Sequence, residues 1–283
     1  MIGYGGSSQV YRVFHKESKE ILALKHVTTK RLSKQTYHDY RNEITFLVKL
    51  RQKNCLHIPY LQNYENNRIA GHLDIVLELG EIDFAHYMFL QRSKPLDYNF
   101  VRWYGQLMLE AVDEIHDRHV VHRDLKPANF ILKEGSLKLI DFGISKKVDA
   151  QGYVEIDSPI GTVHYMPPEA FLFVEKDGRK YIQIGQFSDV WALGCIFYQM
   201  IYGKTPFHNV DADHKALYIC DPSFIIDYPS SVSFDPPSGT SVVVPVKQDV
   251  ISLLQACLDR DPQNRWSVKR LLKHPFFHPE HSL

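Results

Sequence analysis

The spacing of apolar positions changes near residue 80 of the chain. Before that point, residues 9–14 and 21–27 are rich in β-branched and aromatic side chains and flank the polar turn 15–18, which predicts an antiparallel hairpin. Residues 73–79 predict a further strand. After residue 80 the apolar residues recur mainly every three or four positions. The pattern therefore predicts a small β-rich part followed by a larger, mainly helical part.

Residues 34–51 predict a helix that carries an acid on its apolar face. The apolar positions of this stripe are Tyr37, Tyr40, Ile44, Leu47 and Val48. Glu43 lies on the same stripe. A buried carboxylate is costly unless a cation meets it, so we expect a cationic partner for Glu43 elsewhere in the chain.

The second part combines helical patterns with one short hairpin. Helices are predicted over residues 82–91, 99–117 and 188–201. Two strand patterns, 130–133 and 137–140, flank a turn at Gly135 and predict a hairpin. The Pro- and Ser-rich residues 228–245 predict a long surface loop.

Composition excludes several classes of protein. A chain of 283 residues with 44% apolar and 23% charged residues can bury a core without disulfides. Its 33 Lys and Arg residues balance 33 Asp and Glu residues, so no overall field favours nucleic acid or anionic lipid. The four cysteines form no CxxC pair, which disfavours a structural zinc site. Without a signal peptide pattern or an apolar run of about 20 residues, the expected location is cytosol or nucleus, with no membrane or nucleic-acid partner.

Glycines 3, 5 and 6 lie in the segment GYGGSSQV, on a predicted turn between two strands. Without β-carbons, this backbone could approach phosphate oxygens. Ser8 stands where a G-x-G-x-x-G pattern has its third glycine, so a hairpin turn without a ligand remains an alternative. A strand, not a helix, follows the glycines, which excludes the dinucleotide-binding motif.

In the segment LALK, strand alternation places Ala23 and Lys25 on one face. A small side chain leaves room for a flat base, and the ammonium two residues later could reach phosphates. Lys25 is also the natural cationic partner of Glu43. The alternative for any single lysine is a solvated side chain.

The segment HRDLKPAN brings Asp124, Lys126 and Asn129 close together, and Pro127 is expected to keep this segment out of a helix. Asp124 could accept a proton from a hydroxyl, Lys126 could neutralise a transferred phosphoryl group, and Asn129 could bind a metal ion. Asp141 in the segment DFG adds a carboxylate of the kind that Mg²⁺ prefers. Each segment alone could be a polar turn, but their order along one chain favours catalysis.

Taken in order, the G-x-G, A-x-K, Glu, HRDLKxxN, DFG, PPE and DxWxLG elements resemble those of a eukaryotic protein kinase domain. The resemblance implies an α+β, bilobal kinase fold with residues 1–80 as a β-rich N-lobe and 81–283 as a mainly helical C-lobe. It also implies ATP and Mg²⁺ as cofactors.

The resemblance further implies a role for each matching residue. Those expected to cover the phosphates are Ile2, Gly3, Tyr4, Gly5, Gly6, Ser7 and Ser8. Those expected around the adenine are Val10, Ala23, Leu77, Glu78, Leu79, Gly80 and Ile131. Lys25 pairs with Glu43, Asp124 and Lys126 are catalytic, and Asn129 with Asp141 binds the metal.

Segments such as GGSSQVY, HRDLKPANFIL and GTVHYMPPEA are similar to those of the TTK, or monopolar-spindle, kinases. This implies phosphorylation of Ser and Thr in protein substrates, with Tyr as a further acceptor, in spindle checkpoint or spindle pole control. It also implies nuclear or cytoplasmic location, with kinetochore or spindle pole proteins as partners, and a monomer or transient dimer. A signalling kinase outside mitosis and a pseudokinase scaffold are the alternatives.

The resemblance makes residues 141–169 an activation segment whose hydroxyls are Ser145, Tyr153, Ser158, Thr162 and Tyr165. Ser158 or Tyr153 is the predicted phosphorylation site, with Arg123 as the phosphate partner. Thr162 and Tyr165 are expected nearer the substrate-binding rim, because GTVHY resembles the family's substrate-docking turn. Structural roles are implied for Asp189, Trp191 and Gly194 as an anchor, and for Glu169 and Arg265 as a buried ion pair. His274, His278 and His281 are predicted to be structural, with a metal site as the alternative.

Overall fold

A computed structural model describes residues 1–5, 8–51, 55–234 and 241–279. Five antiparallel strands form the N-terminal sheet in the order β1-β2-β3-β5-β4. Their bounds are β1 Gly3–Gly5, β2 Ser8–Phe14, β3 Ile21–Thr28, β4 Leu61–Asn67 and β5 His72–Glu78. The predicted hairpin and the predicted third strand are therefore present.

One helix, α1 (Lys34–Arg51), packs against this sheet. Its apolar residues Ile44, Leu47 and Leu50 are buried in one core with Leu73 and Ile75 of β5. The helix has the bounds that the apolar stripe predicts. Burial of this stripe, rather than helix propensity, stabilises α1 in its position.

The second part is mainly helical. Its helices are α2 (Phe84–Gln91), α3 (Tyr98–His116), α4 (Gln186–Tyr202), α5 (Lys215–Cys220), α6 (Gln248–Cys257) and α7 (Val268–Leu271). Helix α4 is buried along most of its length, which fits its continuous apolar sequence. A Cβ atom at Gly194 would lie 2.6 Å from Cys257 Cβ, so the close approach of α4 to α6 requires glycine there.

Short strands complete the second part. They are β6 (Ile82–Asp83), β7 (Val120–Val121), β8 (Phe130–Lys133), β9 (Ser136–Leu139), β10 (Lys146–Lys147), β11 (Tyr153–Ile156), β12 (Val174–Lys176), β13 (Arg179–Gly185), β14 (Ser231–Phe234) and β15 (Val242–Pro245). Strands β8 and β9 form the predicted hairpin, with Phe130 opposite Leu139.

The structure corrects three of these predictions. Pro127–Asn129 form one turn of 3-10 helix, because proline is tolerated at the first position of a helix. Helix α2 begins at Phe84, two residues later than predicted, because Asp83 is extended and its side chain accepts the His86 N–H as an N-cap. The predicted loop 228–245 contains the paired strands β14 and β15, with Val232 opposite Val244. Its β-branched residues, rather than its Pro and Ser content, indicate this pairing.

The described residues have the α+β, two-lobed architecture that the resemblance implies, with a sheet before residue 80 and helices after it. The exact boundary between residues 80 and 81 stays a prediction. No helix in the described ranges has both the length and the apolarity of a membrane span.

Candidate active site

A cleft of about 490 Å³ contains most of the polar residues predicted to act together. Its predicted lining residues are Ser8, Lys25, Glu43, Asp124, Lys126 and Asp141. It is also lined by residues outside the predicted set, namely Thr36, Asp39, Tyr40, Gly143, Ile144, Ile160, Gly161 and Thr162. Residues up to 154 positions apart in sequence, from Ser8 to Thr162, thus meet around one volume.

Lys25 and Glu43 form the ion pair that the inward-facing acid predicts. Lys25 Nζ lies 2.9 Å from Glu43 Oε1 and 2.7 Å from Oε2, and Glu43 is 3% exposed. Burial alone would lower the pKa of Lys25, but the carboxylates of Glu43 and Asp141 outweigh this effect and raise it. Lys25 is therefore an ammonium at neutral pH, tied to α1 and facing the cleft.

Gly3 and Gly5 belong to strand β1, whereas the sequence pattern predicts them on the turn between two strands. Gly3 lies opposite Val10 and Gly5 opposite Ser8, and the Ile2 N–H donates to Val10 O. Ser8 reaches the cleft, whereas the Tyr4 side chain is 86% exposed. Gly6 and Ser7 lie outside the described residues.

The residues expected around a base lie in neighbouring elements. Ala23 is opposite Leu77 in the sheet, and Val10 is opposite Lys25. A Cβ atom at Gly80 would lie 2.7 Å from Ile131 Cδ1, so the structure brings these two residues into contact.

The segment from Glu78 to Glu81 is already partly hydrogen-bonded. The Glu78 N–H donates to Tyr60 O, and the Glu81 N–H donates to Leu132 O. Leu79 and Gly80 follow β5 without belonging to a strand. A base bound here would therefore be recognised by backbone groups other than those two N–H groups.

Asp124 is held at both ends of its carboxylate. Lys126 Nζ donates to Oδ2 at 2.6 Å, and Thr162 donates to Oδ1 from both its N–H, at 2.9 Å, and its hydroxyl, at 2.7 Å. Lys126 Nζ also donates to Thr162 Oγ1 at 3.0 Å. These contacts fix the orientation of the carboxylate at the floor of the cleft.

Thr162, which the resemblance places near the substrate-binding rim, contacts the Asp124 carboxylate directly. Gly161 before it has φ +130°, and a Cβ atom there would lie 2.9 Å from Arg123 O. Only glycine allows this approach without displacing the backbone that carries Asp124. The Gly-Thr pair is thus the signal that could have identified Thr162.

Asp189, at 1% exposure, holds the backbone before Asp124 in place. Its carboxylate accepts the N–H groups of His122 and Arg123 at 2.8 Å and 3.0 Å, and lies 2.9 Å from His116 Nε2. The start of α4 therefore positions the catalytic segment, which matches the anchoring role expected for Asp189.

Asn129 and Asp141 provide the oxygen atoms expected for a metal ion. Asn129 Nδ2 donates a hydrogen bond to Asp124 O at 2.8 Å. The amide oxygen of Asn129 is therefore the atom that can bind a metal ion. Asp141 is exposed and has φ +68°, a strained conformation for a residue other than glycine. Carboxylate and amide oxygens are hard ligands, so this donor set fits Mg²⁺.

The backbone after Asp141 is held by Asn42 of α1, a further residue outside the predicted site. Asn42 Nδ2 lies 3.3 Å from Phe142 O, 3.0 Å from Gly143 O and 2.7 Å from Ser145 O. Asn42, next to Glu43 in sequence, thus connects α1 to the segment that carries Asp141.

The hydroxyls of the activation segment differ in access. Ser145 is fully buried and donates to His122 O, whereas Ser158 is exposed. Tyr165 donates to Gln199 Oε1, and burial raises the pKa of its phenol. Tyr153 is partly exposed and accepts from Gln263 Nε2. Ser145 is therefore not accessible for modification in this structure.

Glu169 and Arg265 form the expected buried pair. Arg265 Nη1 lies 2.7 Å from Glu169 Oε1, and Nη2 lies 2.8 Å from Oε2. Ser188 Oγ also donates to Glu169 Oε1. This bidentate contact joins the end of the activation segment to the loop before α7.

Comparison with known proteins agrees with this arrangement. A family model described as protein kinase domain matches residues 1–277. The chain is 39% identical over 287 residues to serine/threonine-protein kinase mph1 of Schizosaccharomyces pombe, and the aligned region covers 99% of this chain and 42% of that protein. It is 40% identical over 281 residues to dual specificity protein kinase Ttk of Danio rerio, and the aligned region covers 98% of this chain and 26% of that protein.

A mouse relative gives the same result. The chain is 39% identical over 281 residues to dual specificity protein kinase TTK of Mus musculus, covering 97% of this chain and 30% of that protein. The chain thus spans less than half the length of the curated relatives it matches. Because the family model covers nearly all of its residues, the chain belongs to the protein kinase domain family.

Proposed function

We propose that this protein transfers the γ-phosphoryl group of ATP to Ser and Thr hydroxyls of proteins. The observation that carries the proposal is the convergence of the Lys25–Glu43 pair, Asp141 and Asp124 on one cleft. Electrostatic stabilisation and positioning supply most of the catalysis in phosphoryl transfer, and these residue types are the ones it needs.

Asp124 is the proposed general base. Its carboxylate is held by Thr162 and Lys126, so it needs little reorganisation to accept a proton from an incoming hydroxyl. Lys126 lies between Asp124 and Thr162, where its ammonium can stabilise negative charge on the transferred group.

Lys25 is proposed to bind phosphate oxygens, with Glu43 fixing its position. Asn129 and Asp141 are proposed to hold Mg²⁺, which when bound supplies positive charge against the phosphates. Ile2, Gly3, Tyr4, Gly5 and Ser8 keep their proposed role in covering the phosphates, together with Gly6 and Ser7.

The proposed recognition of adenine rests on residues of strands β2, β3, β5 and β8 and of the segment that follows β5. These residues are Val10, Ala23, Leu77, Glu78, Leu79, Gly80 and Ile131. The pairing of Ala23 with Leu77 and the contact between Gly80 and Ile131 support a common apolar surface for a base.

Similarity to kinases named dual specificity supports Tyr as a further acceptor. A role in spindle checkpoint or spindle pole control, with kinetochore or spindle pole proteins as partners, rests on the family resemblance. A tagged copy that stays diffuse throughout mitosis would favour the alternative, a signalling kinase outside mitosis.

The test of phosphoryl transfer compares wild type with Asp124→Asn in a radiolabelled ATP assay with phosphoamino-acid analysis. We expect turnover to fall by about 10²–10⁴, the range for a lost general base, with nucleotide affinity nearly unchanged. Asp141→Asn should instead weaken Mg²⁺-dependent nucleotide binding. Asp177→Asn, an exposed residue in a turn with φ +52°, is the matched control and should retain wild-type turnover.

Two results would contradict this proposal. If wild-type protein binds no nucleotide in calorimetry, the proposed phosphoryl transfer from ATP is excluded. Nucleotide binding without any phosphoryl transfer, in wild type and Asp124→Asn alike, would favour the pseudokinase scaffold.

Phosphorylation of Ser158 or Tyr153 is proposed to order the activation segment through Arg123. Arg123 Nη1 donates to Ile144 O, its Nε has no hydrogen-bond partner among the described residues, and burial lowers its pKa. A phosphate is a strong acceptor for such a guanidinium. Mass spectrometry of fully active protein that carries no phosphate on either residue would contradict this proposal.

A further inference from the structure

The N-terminal sheet carries a cluster of imidazole and carboxylate groups on the face opposite Lys25. His26 on β3 lies opposite Asp74 on β5, and Asp74 lies opposite Glu65 on β4. His72 is two residues before Asp74 and therefore shares its face. None of these four side chains lines the cleft described above.

The ligand atoms of three of these residues are close together. Glu65, His72 and Asp74 each offer one nitrogen or oxygen ligand atom, and these three atoms all lie within 4.8 Å of one another. His72 Nε2 lies 3.7 Å from Asp74 Oδ2, which is longer than a hydrogen bond. Two ligands on a tetrahedral zinc ion with bonds of about 2.0–2.1 Å are about 3.3–3.4 Å apart, so a small side-chain movement would allow both to bind one ion.

His26 fixes the orientation of the central carboxylate. Its Nδ1 lies 2.6 Å from Asp74 Oδ1, while the other oxygen of Asp74 faces His72. A ring N–H donated to one carboxylate oxygen leaves the second oxygen to face a metal ion. Such outer contacts commonly orient metal ligands in proteins.

Charge also favours a cation at this place. Glu65 and Asp74 are directly opposite on neighbouring strands, where like charges destabilise a sheet. With neutral imidazoles the cluster carries two negative charges, which one divalent cation neutralises. His26, His72 and Asp74 are only partly exposed and Glu65 is exposed, so an ion could enter from solvent.

We propose that Glu65, His72 and Asp74 bind one divalent transition-metal ion of the Zn²⁺ class, with His26 as a positioning residue. Nitrogen ligands favour Zn²⁺, Ni²⁺ or Cu²⁺ over Mg²⁺. Three protein ligands leave a coordination position for water. The bound ion joins β4 to β5, and through His26 to β3, and so stabilises the sheet that carries Lys25.

The experiment titrates the chelator-treated protein with ZnCl₂ by calorimetry and measures the melting temperature with and without the ion. We expect one tight equivalent of Zn²⁺ and a higher melting temperature, because a ligand bound only to the folded state stabilises it. The double variant His72→Gln, Asp74→Asn should lose both effects. His26→Gln should weaken binding by about 10–100-fold, the usual effect of removing an outer contact.

Two further variants separate this site from other zinc-binding groups. His208→Gln replaces an exposed histidine outside the cluster and should bind Zn²⁺ as wild type does. Asp124→Asn with Asp141→Asn should also keep the tight equivalent, which excludes these two acids of the cleft as the zinc ligands. Absence of a saturable single equivalent in wild type, or equal affinity in the folded double variant, overturns the proposal without bearing on phosphoryl transfer.

Discussion

The hydroxyl of Thr162 donates a 2.7 Å hydrogen bond to Asp124 Oδ1 across 38 residues of chain. The same carboxylate oxygen accepts the Thr162 N–H, so the activation segment and the catalytic segment are joined at the proposed general base. A carboxylate positioned in this way depends on the activation segment for its orientation. Positioning of this kind contributes strongly to rate, since a misplacement of about 1 Å can cost about 10²-fold.

Replacing Thr162 should therefore impair turnover rather than nucleotide binding. Thr162→Val keeps the shape but removes the hydroxyl, and we expect kcat to fall by about 10–100-fold. Thr162→Ser retains the hydroxyl and should stay within a few-fold of wild type. Steady-state kinetics with nucleotide affinity from calorimetry checks this, and a fully active Thr162→Val protein would show that the bond is dispensable.

Asn42 should couple α1 to the segment that carries Asp141. Its amide is the donor for backbone carbonyls at residues 142, 143 and 145, which Asn42→Ala would leave without this partner. We expect a loss of about 1–3 kcal/mol in the free energy of unfolding and a lower kcat. Urea denaturation and kinetics measure the two effects.

The control for Asn42 is Asn209→Ala, a change at an exposed loop position that should alter neither quantity. A variant at position 42 that loses stability but keeps full kcat would assign Asn42 to folding alone. Unchanged stability would show that water replaces the amide at these carbonyls.

Removing one partner of the Glu169–Arg265 pair should strongly destabilise the fold. Arg265 is 3% exposed, so Arg265→Ala leaves the Glu169 carboxylate without its cation in a poorly solvated place. The expected cost is about 3–5 kcal/mol in the free energy of unfolding. Arg265→Lys keeps the charge but not the bidentate contact and should fall in between. Urea denaturation of the three proteins tests this order.

Helices and hairpins that a local sequence pattern encodes are predicted well. The stripe around Glu43 gave the bounds of α1 and the need for a cation, and the structure supplies Lys25. The hairpin around Gly135 is equally local, since its two strands lie within ten residues. Ordered motifs such as HRDLKPAN and DFG then carried most of the candidate site, because their residue types are dictated by chemistry.

What the sequence could not provide was pairing over long distances. Strand β4 is polar along much of its exposed side, and it is a strand because β5 provides its hydrogen-bond partner. Likewise β11 pairs with β13, which begins 23 residues after β11 ends. Asn42 has an ordinary local context, and Gly161 before Thr162 does not identify Asp124 as the partner. Only the tertiary structure brings these two side chains to residues 142–145 and to Asp124.

His274 belongs to the group of C-terminal histidines predicted to be structural. It is 3% exposed, its Nδ1 accepts the Phe276 N–H at 3.2 Å, and its Nε2 lies 3.2 Å from Ser252 Oγ. Burial lowers the pKa of His274, although Asp249 partly opposes the effect. His278 Nε2 instead lies 2.7 Å from Leu272 O, and His281 is outside the described residues.

This environment predicts a loss of stability in mild acid. An unfolded histidine takes up its proton near pH 6.5, while folded His274 resists it until a lower pH. The unfolded state therefore binds more protons below about pH 6.5, and the free energy of unfolding falls by at most about 1.4 kcal/mol per pH unit until the folded pKa is reached. His274→Asn keeps a side-chain acceptor for the Phe276 N–H but cannot be protonated in this range. Urea denaturation at pH 7.5 and 5.5 should thus show a larger loss for wild type than for His274→Asn, whereas equal losses would assign the acid sensitivity to other groups.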